Sequence, residues 1–389
     1  MSSLVALRIA LVRLGFGVGR LRAVQPRVVL ATAHGEYLAG NLAWIREGLG
    51  AAQPQVPTTE IVFRPGQGWR NLLAAAVHAI RSGYHLATAR LFVVDDYYFP
   101  MYVIRPRPGT TFVQVWHACG AFKKFGYSVL DKGFGAGAEY VRSVPIHANY
   151  DLCLVSAARF APFYAEAFRT PVARFSAALG IPRTDLFFET DRAARTAAAV
   201  RARYAIPDGT RVVLYAPTFR GERTTVARDP SDLDLRELQR TLGHDHVVLL
   251  RSHPFVRSRP AAAPAQRGFV IDASDHPDIN ELMLVSDVLV TDYSSAMYEF
   301  ALTGRPIAFF APDHAAYEAE RGFYLDYSTD LPGPVFTTST ELAAFLRGGT
   351  FDLERVRRFA ADSFDIADGS ATRRFIEGVI LPAVGDALR

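Results

Sequence analysis

The sequence predicts an α/β protein of two domains, each built on a parallel sheet, and three observations carry that prediction. The chain has 389 residues, 50% of them hydrophobic and 21% charged, enough for two cores at roughly 100–200 residues per domain. Short β-branched runs alternate with longer stretches of helical periodicity, the order that sets strands side by side with helices on the sheet faces. That alternation occurs twice, on either side of an Ala/Arg-rich stretch, Asp191–Tyr204, which ends in the turn cluster Ile206-Pro207-Asp208-Gly209.

The first element is an apolar segment, residues 4–21, interrupted by Arg8, Arg13 and Arg20. It lacks the run of about 18 apolar residues that a spanning helix needs. Its charges are scattered through the apolar block rather than gathered before it, so it does not read as a signal peptide either. Leu4, Leu7, Leu11 and Leu14 fall at helical spacing. Two readings stand: a helix lying in an anionic membrane interface, with Arg8, Arg13, Arg20 and Arg22 at the headgroups, or a helix packed on the first domain.

Strands are expected next at Arg27–Ala33, Leu91–Val94, Thr111–Val115 and Leu152–Val155, with helices at Leu72–Ser82 and Ala157–Phe168. The second series has strands at Arg211–Tyr215, His246–Arg251, Val288–Thr291 and Ile307–Phe310, with helical periodicity at Leu282–Val285 and Ala296–Thr303. The resulting division is an N-terminal segment 1–24, a first domain 25–190 and a second domain 205–389 that includes the terminal helices. No repeat is visible at the spacing of solenoids or propellers.

Composition removes several function classes. The formal net charge is +4, but Arg8, Arg13, Arg20, Arg22 and Arg27 supply all of it, leaving the rest near neutral. A basic face able to displace counterions from many phosphates is missing, so nucleic acid is not an expected partner. Cys119 and Cys153 are the only cysteines; they form no Cys-x-x-Cys, which fits a reducing compartment.

Four strand exits carry the polar chemistry, and in open parallel sheets ligands sit beyond those exits. The segment Trp116–Gly126 brings His117, Gly120, Lys123 and Lys124, two of only three lysines in the chain. It reads either as a base with phosphate-binding charge or as a capped strand with a core histidine and solvated lysines. Thr218 with Arg220, and Arg251 with His253, pair a hydroxyl or imidazole with a guanidinium that matches phosphate oxygens; alone, each is equally a turn. Val288–Ser295 leads into a helix, so Ser294 and Ser295 offer hydroxyls and free N–H groups to an anion, or else cap the helix.

Taken in order, Val94–Pro100, Gln114–Gly126, Tyr215–Arg220, Arg251–Pro254, Asp278–Leu282, Thr291–Ser295, Asp313–Tyr317, Arg321–Phe323 and Asp368-Gly369 resemble the signatures of the CDP-glycerol glycerophosphotransferase family of teichoic-acid synthesis. The resemblance runs from about residue 30 to 380. It implies a GT-B architecture, two Rossmann-like domains flanking a cleft. It also implies transfer of glycerol phosphate or ribitol phosphate from CDP-glycerol or CDP-ribitol to a hydroxyl of a lipid-linked or polymer acceptor, with release of CMP. His117 matches the family histidine placed near the acceptor, and His253 the one at the donor phosphates. Thr218, Ser294 and Ser295 match pyrophosphate-binding positions, with Arg251 beside them, while Lys123, Lys124 and Gly120 are candidates for acceptor or phosphate contacts. No metal and no cofactor are expected, because Asp-rich metal motifs are missing, and the implied location is peripheral, at the cytoplasmic face of the membrane. Two alternatives are a GT-B glycosyltransferase using a nucleotide sugar and a non-enzymatic module of the same fold.

Overall fold

The computed structural model describes residues 3–66, 68–130, 132, 137–221, 227–230, 232–256 and 266–385; Met1, Ser2 and the last four residues lie outside the described residues. Twelve strands form two sheets of six among them. The first holds β1 (Gln25–Thr32), β2 (Thr58–Val62), β3 (Ala89–Val94), β4 (Thr111–Gln114), β5 (Leu152–Leu154) and β6 (Phe175–Ser176), in the order β2-β1-β3-β4-β5-β6. The second holds β7 (Arg211–Ala216), β8 (His246–Leu250), β9 (Val270–Asp272), β10 (Val288–Thr291), β11 (Ile307–Phe310) and β12 (Val335–Phe336), in the order β12-β11-β10-β7-β8-β9. Every pairing is parallel. The central strands are buried on both faces, which is why Val28–Ala31, Leu91–Val94 and Val247–Leu250 read as unbroken apolar runs.

Each sheet has a switch point where the chain leaves neighbouring strands in opposite directions: between β1 and β3 in the first, and between β7 and β10 in the second. Crevices form there, at the carboxyl ends of the strands.

The helix Thr190–Arg203 joins the two halves. The chain does not finish on the second sheet. Asp185 Oδ1 and Oδ2 accept from the backbone N–H groups of Ala371 and Thr372 at 2.9 and 2.8 Å, and Phe375, Ile376, Ile380 and Val384 join the core cluster that contains β1 and β3. The last helices therefore pack back on the first domain.

The N-terminal segment is a helix, α1 (Ser3–Arg20), packed on its own domain. After α2 (Gly40–Ala52), α3 (Trp69–Thr88) receives it in a close crossing made by glycines. A Cβ on Gly15 would lie 2.0 Å from the Ile80 carbonyl oxygen, and one on Gly83 would lie 2.1 Å from that of Val12. The glycines that weaken α1 as an isolated helix are what allow it to dock. Its other face stays open: Leu4, Leu7, Leu14, Val18 and Leu21 are exposed, as are Trp69, Leu72, Leu73 and Val77 of α3.

Candidate active site

On the first-domain side, the chain turns sharply after β4. Trp116 takes a left-handed backbone, φ 53°, a conformation a bulky residue adopts only where its surroundings over-determine it. Those surroundings are present. Asn41 Nδ2 donates to the carbonyls of Val115 and Trp116, both at 2.9 Å; the Trp116 N–H donates to Gln114 Oε1 at 2.8 Å; and the indole packs against Phe125 and Phe168. The turn delivers His117 into the cleft with half of its side chain exposed.

Behind His117 stand two carboxylates from the exit of β3. Asp96 Oδ2 lies 3.3 Å from His117 Nδ1 and 3.7 Å from His34 Nε2, and its Oδ1 accepts from the Tyr97 N–H at 2.6 Å. Burial, seconded by the charge of Asp96, pushes the Asp95 carboxyl up to about 7. The His117 imidazole is lowered by enclosure in the cleft, Asp96 opposing that shift and Arg183 and His34 adding to it. A neutral imidazole backed by a carboxylate is competent to take a proton.

Arg183 ties this segment to the second domain. Its Nη1 donates to the His117 carbonyl at 2.6 Å, its backbone N–H to Asn41 Oδ1 at 3.0 Å, and its Nη2 to the buried Glu299 carboxylate across the cleft.

On the second-domain side, His253 clusters with the rings of Phe219 and Phe255, 4.8 Å from each, the two phenyl rings lying 5.7 Å apart. Its Nδ1 accepts from the Phe255 N–H at 3.3 Å, which leaves the proton of the neutral ring on Nε2. Burial first, then the nearby charges of Lys123, His117 and Arg251, push its pKa down to about 3. The structure therefore brings His253, His117 and Lys123 into one electrostatic neighbourhood. Arg251 donates from Nη1 to the Ser274 carbonyl and from its backbone to Tyr215 at 2.8 Å.

Ser294 and Ser295 sit half-buried before the helix Ala296–Ala301, which is shorter than the expected Ala296–Thr303. Ser294 Oγ accepts from the Ala296 N–H at 3.2 Å, while Ser295 makes no side-chain capping bond. Thr218 is buried, and its hydroxyl is occupied: it donates to Asp292 Oδ1 at 3.0 Å and accepts from Arg220 Nη1 at 3.1 Å. Thr218 and Asp292 mark the switch point between β7 and β10.

The remaining candidates lie in the seam between the domains. The Lys124 N–H donates to the Gly322 carbonyl at 3.0 Å and the Tyr324 N–H to that of Phe122 at 2.8 Å. Lys123 Nζ donates to the Tyr317 hydroxyl at 3.4 Å, and Lys124 Nζ lies 5.9 Å from the Tyr324 ring centroid. Gly120 has φ 63°, and a Cβ there would lie 2.2 Å from the Tyr298 ring of the second domain. Its empty space admits that ring, and its N–H donates to Ser156 Oγ at 3.0 Å.

Sequence reasoning did not single out Asp96, Asn41 or Arg183. Asp96 carried a signal, an acid at a strand exit beside the histidine's strand. Asn41 and Arg183 act from far along the chain through single side chains, which leave no local pattern. Among the described residues no group of three or more His, Cys, Asp or Glu side chains is placed to hold a metal ion.

Comparisons with known proteins give the family. The family model described as CDP-Glycerol:Poly(glycerophosphate) glycerophosphotransferase matches residues 22–381. The teichoic acid ribitol-phosphate primase of Bacillus spizizenii is 37% identical over 350 residues, covering 90% of this chain and 89% of the relative. The teichoic acid poly(ribitol-phosphate) polymerase of the same organism is 36% identical over 77% of this chain, but only 48% of the polymerase is covered. The solved structure of the wall teichoic acid polymerase TagF superposes with a TM-score of 0.77 at 25% identity, over 96% of this chain and 94% of that one. The fold is accordingly GT-B, and the chain belongs to the CDP-glycerol:poly(glycerophosphate) glycerophosphotransferase family, enzymes that transfer polyol phosphate from a CDP-polyol in teichoic-acid synthesis.

Proposed function

We propose that this enzyme adds polyol phosphate to a lipid-linked acceptor, with His117 as the base and His253 on the donor phosphates. The observation that carries the reading is the carboxylate-backed His117 facing the cleft opposite a neutral, Nε2-protonated His253. The acceptor hydroxyl gives its proton to His117 Nε2 as its oxygen bonds to the phosphorus that bears the polyol. The bond from that phosphorus to the CMP oxygen breaks, and the electron pair leaves with CMP. His253 Nε2–H, Arg251, the Ser294 and Ser295 hydroxyls and the N–H groups beside them take up the charge that develops on the leaving phosphate; Thr218 shapes this site through Asp292. Such a step asks the protein mainly for position and charge stabilisation.

The ribitol-phosphate primase is 37% identical to this chain and the glycerol-phosphate primase of the same organism 29%, which supports CDP-ribitol as the donor. The chain covers 89% of the ribitol-phosphate primase but 48% of the poly(ribitol-phosphate) polymerase, which supports a single added unit. A screen of CDP-ribitol, CDP-glycerol and UDP-sugars tests this by CMP or UDP release, with mass spectrometry of the product. UDP release would overturn the reading in favour of glycosyl transfer; a ladder of products would overturn the single addition.

Ser294→Ala and Ser295→Ala are expected to weaken CDP-polyol binding by about tenfold to a hundredfold, the loss of one hydrogen bond to a charged group, without changing acceptor binding. Calorimetry with donor alone measures it. Unchanged affinity in both variants would leave Ser294 as a cap on the Ala296 N–H and neither serine on the donor.

The open leucine row of α1 and the adjoining face of α3 support a peripheral position at the inner face of the membrane. No helix among the described residues is long and apolar enough to cross a bilayer. Arg20 and Arg22 are exposed at the end of the row, where each adds roughly 1 kcal/mol of attraction to an anionic surface. Arg8 and Arg13 instead turn to the domain, over the Phe99 ring and onto the Val103 carbonyl. Because α1 covers the glycine face of α3, truncating it would uncover core, so point changes are the cleaner probe. Leu7→Glu with Leu14→Glu is expected to abolish salt-sensitive pelleting with anionic vesicles while the protein stays folded. Undiminished pelleting would exclude this face.

A further inference from the structure

A second site opens beside the catalytic pair. We propose that the cavity at the switch point of the first sheet is a sugar-phosphate subsite for the acceptor, holding a pyranose ring against Phe63, Tyr97 and Phe99 with its phosphate on Arg8. It rests on the polyol-phosphate transfer reading above.

The cavity has a volume of about 180 Å³ and lies where the chain leaves β1 at Ala33 and His34, β2 at Phe63, and β3 at Tyr97 and Phe99. This is the crevice between β1 and β3, the counterpart of the β7/β10 crevice that holds Thr218 and Asp292 in the second sheet. Its inner wall is also the back of the reaction centre, since His34 and Tyr97 both touch Asp96, the partner of His117. A group held here sits beside the base.

The lining also suits a sugar phosphate chemically. Arg8 reaches in from α1 with its guanidinium 4.3 Å above the Phe99 ring, and no carboxylate among the described residues pairs with it. His78 is nine-tenths buried, stacks on Phe63 at 4.5 Å and 14°, and makes no hydrogen bond among the described residues. Burial, with Arg8 and Arg81 nearby, keeps its ring neutral, at about 4, so it offers one donor and one acceptor to a hydroxyl. Aromatic faces, an unpaired guanidinium and a free imidazole together match the C–H face, the phosphate and a hydroxyl of a sugar phosphate. An acyclic polyol phosphate has no flat face to lay on these rings. The volume lies below the roughly 300–1,000 Å³ of drug-sized sites, which limits the occupant to one ring and its ester.

Saturation-transfer NMR on the full chain tests this with glucose 1-phosphate as the probe and glycerol 3-phosphate as comparator, alongside calorimetry with the CDP-polyol on the same samples. Glucose 1-phosphate is expected to receive saturation at its ring protons. Arg8→Ala, which removes the cation, and Ala33→Phe, which fills the cavity, are each expected to weaken it about tenfold while donor affinity stays as in the wild type. Donor binding without transfer to glucose 1-phosphate, or equal transfer in both variants, would overturn the subsite and leave the transfer reading standing. Equal affinity for glycerol 3-phosphate would overturn the ring preference and the proposal with it. A wild-type chain that binds no CDP-polyol would instead remove the reading on which the subsite rests.

Discussion

His117→Ala lowers CMP release from the CDP-polyol by about 10²–10⁴, the usual range for loss of a positioned proton acceptor, with no change in the urea midpoint. The fold tolerates the change because half of this side chain faces the cleft and the strained turn before it is held by Asn41 and Gln114 rather than by the imidazole. His253→Ala lowers turnover through the donor phosphates, over the same range. The pH profile separates the two roles. His253 lies at about 3, so it stays neutral and contributes no limb between pH 5 and 9. Enclosure holds His117 below its ordinary 6.5 against the upward pull of Asp96, so the acid limb of kcat falls below pH 6.5. Asp96→Asn removes that upward pull and moves the limb further down, with a lower plateau because Nδ1 loses the partner that orients it. A limb left in place by Asp96→Asn, or near wild-type CMP release in His117→Ala, would remove His117 from the chemistry.

The sequence was most legible where a feature is local and repeated. The inner strands β1, β3, β4, β5, β7, β8, β10 and β11 read directly, since a strand covered on both faces is a short apolar run bounded by turns. The outer strands were missed. β6 and β12 are two residues long and β9 three, too short to show a period, while β2 has five residues at the sheet edge but buries only Ile61 and so shows no apolar run.

Within the site, the histidines and the serine pair were legible because each follows a readable strand. The partners that hold those groups were not. Arg220 beside Thr218 looks like a phosphate grip in one dimension, but the fold brings Asp292 and Asp313 to the same point from roughly 70 and 90 residues downstream. Lys123 and Lys124 look like free cations until residues 322–324 arrive alongside them. Gly120 looks like room for a ligand until Tyr298 fills the space. In each case the residue type announced a chemistry, and a distant segment decided how it is used.

Arg220→Ala is expected to destabilise the second domain by about 3–5 kcal/mol, the cost of leaving a buried charge without its partner. The guanidinium is largely buried, 2.9 Å from Asp292 Oδ2 and 2.6 Å from Asp313 Oδ2. It also bonds the Thr218 carbonyl at 2.8 Å and lies 4.9 Å from the Tyr317 ring centroid. Burial works against the Asp313 charge, yet Arg220 outweighs it and holds that carboxyl below its usual range. Asp292 is 2% exposed and also accepts from the Thr218 and Tyr293 N–H groups. Removing the cation leaves that carboxylate facing only neutral donors. Arg220→Lys keeps the charge but loses the two-pronged grip on Asp313, so its loss should fall between wild type and alanine. Urea unfolding of the three proteins without ligand measures the series. A midpoint unchanged in Arg220→Ala, with CDP-polyol affinity collapsing instead, would mean that the guanidinium serves the donor pyrophosphate directly and that Asp292 finds its stabilisation elsewhere.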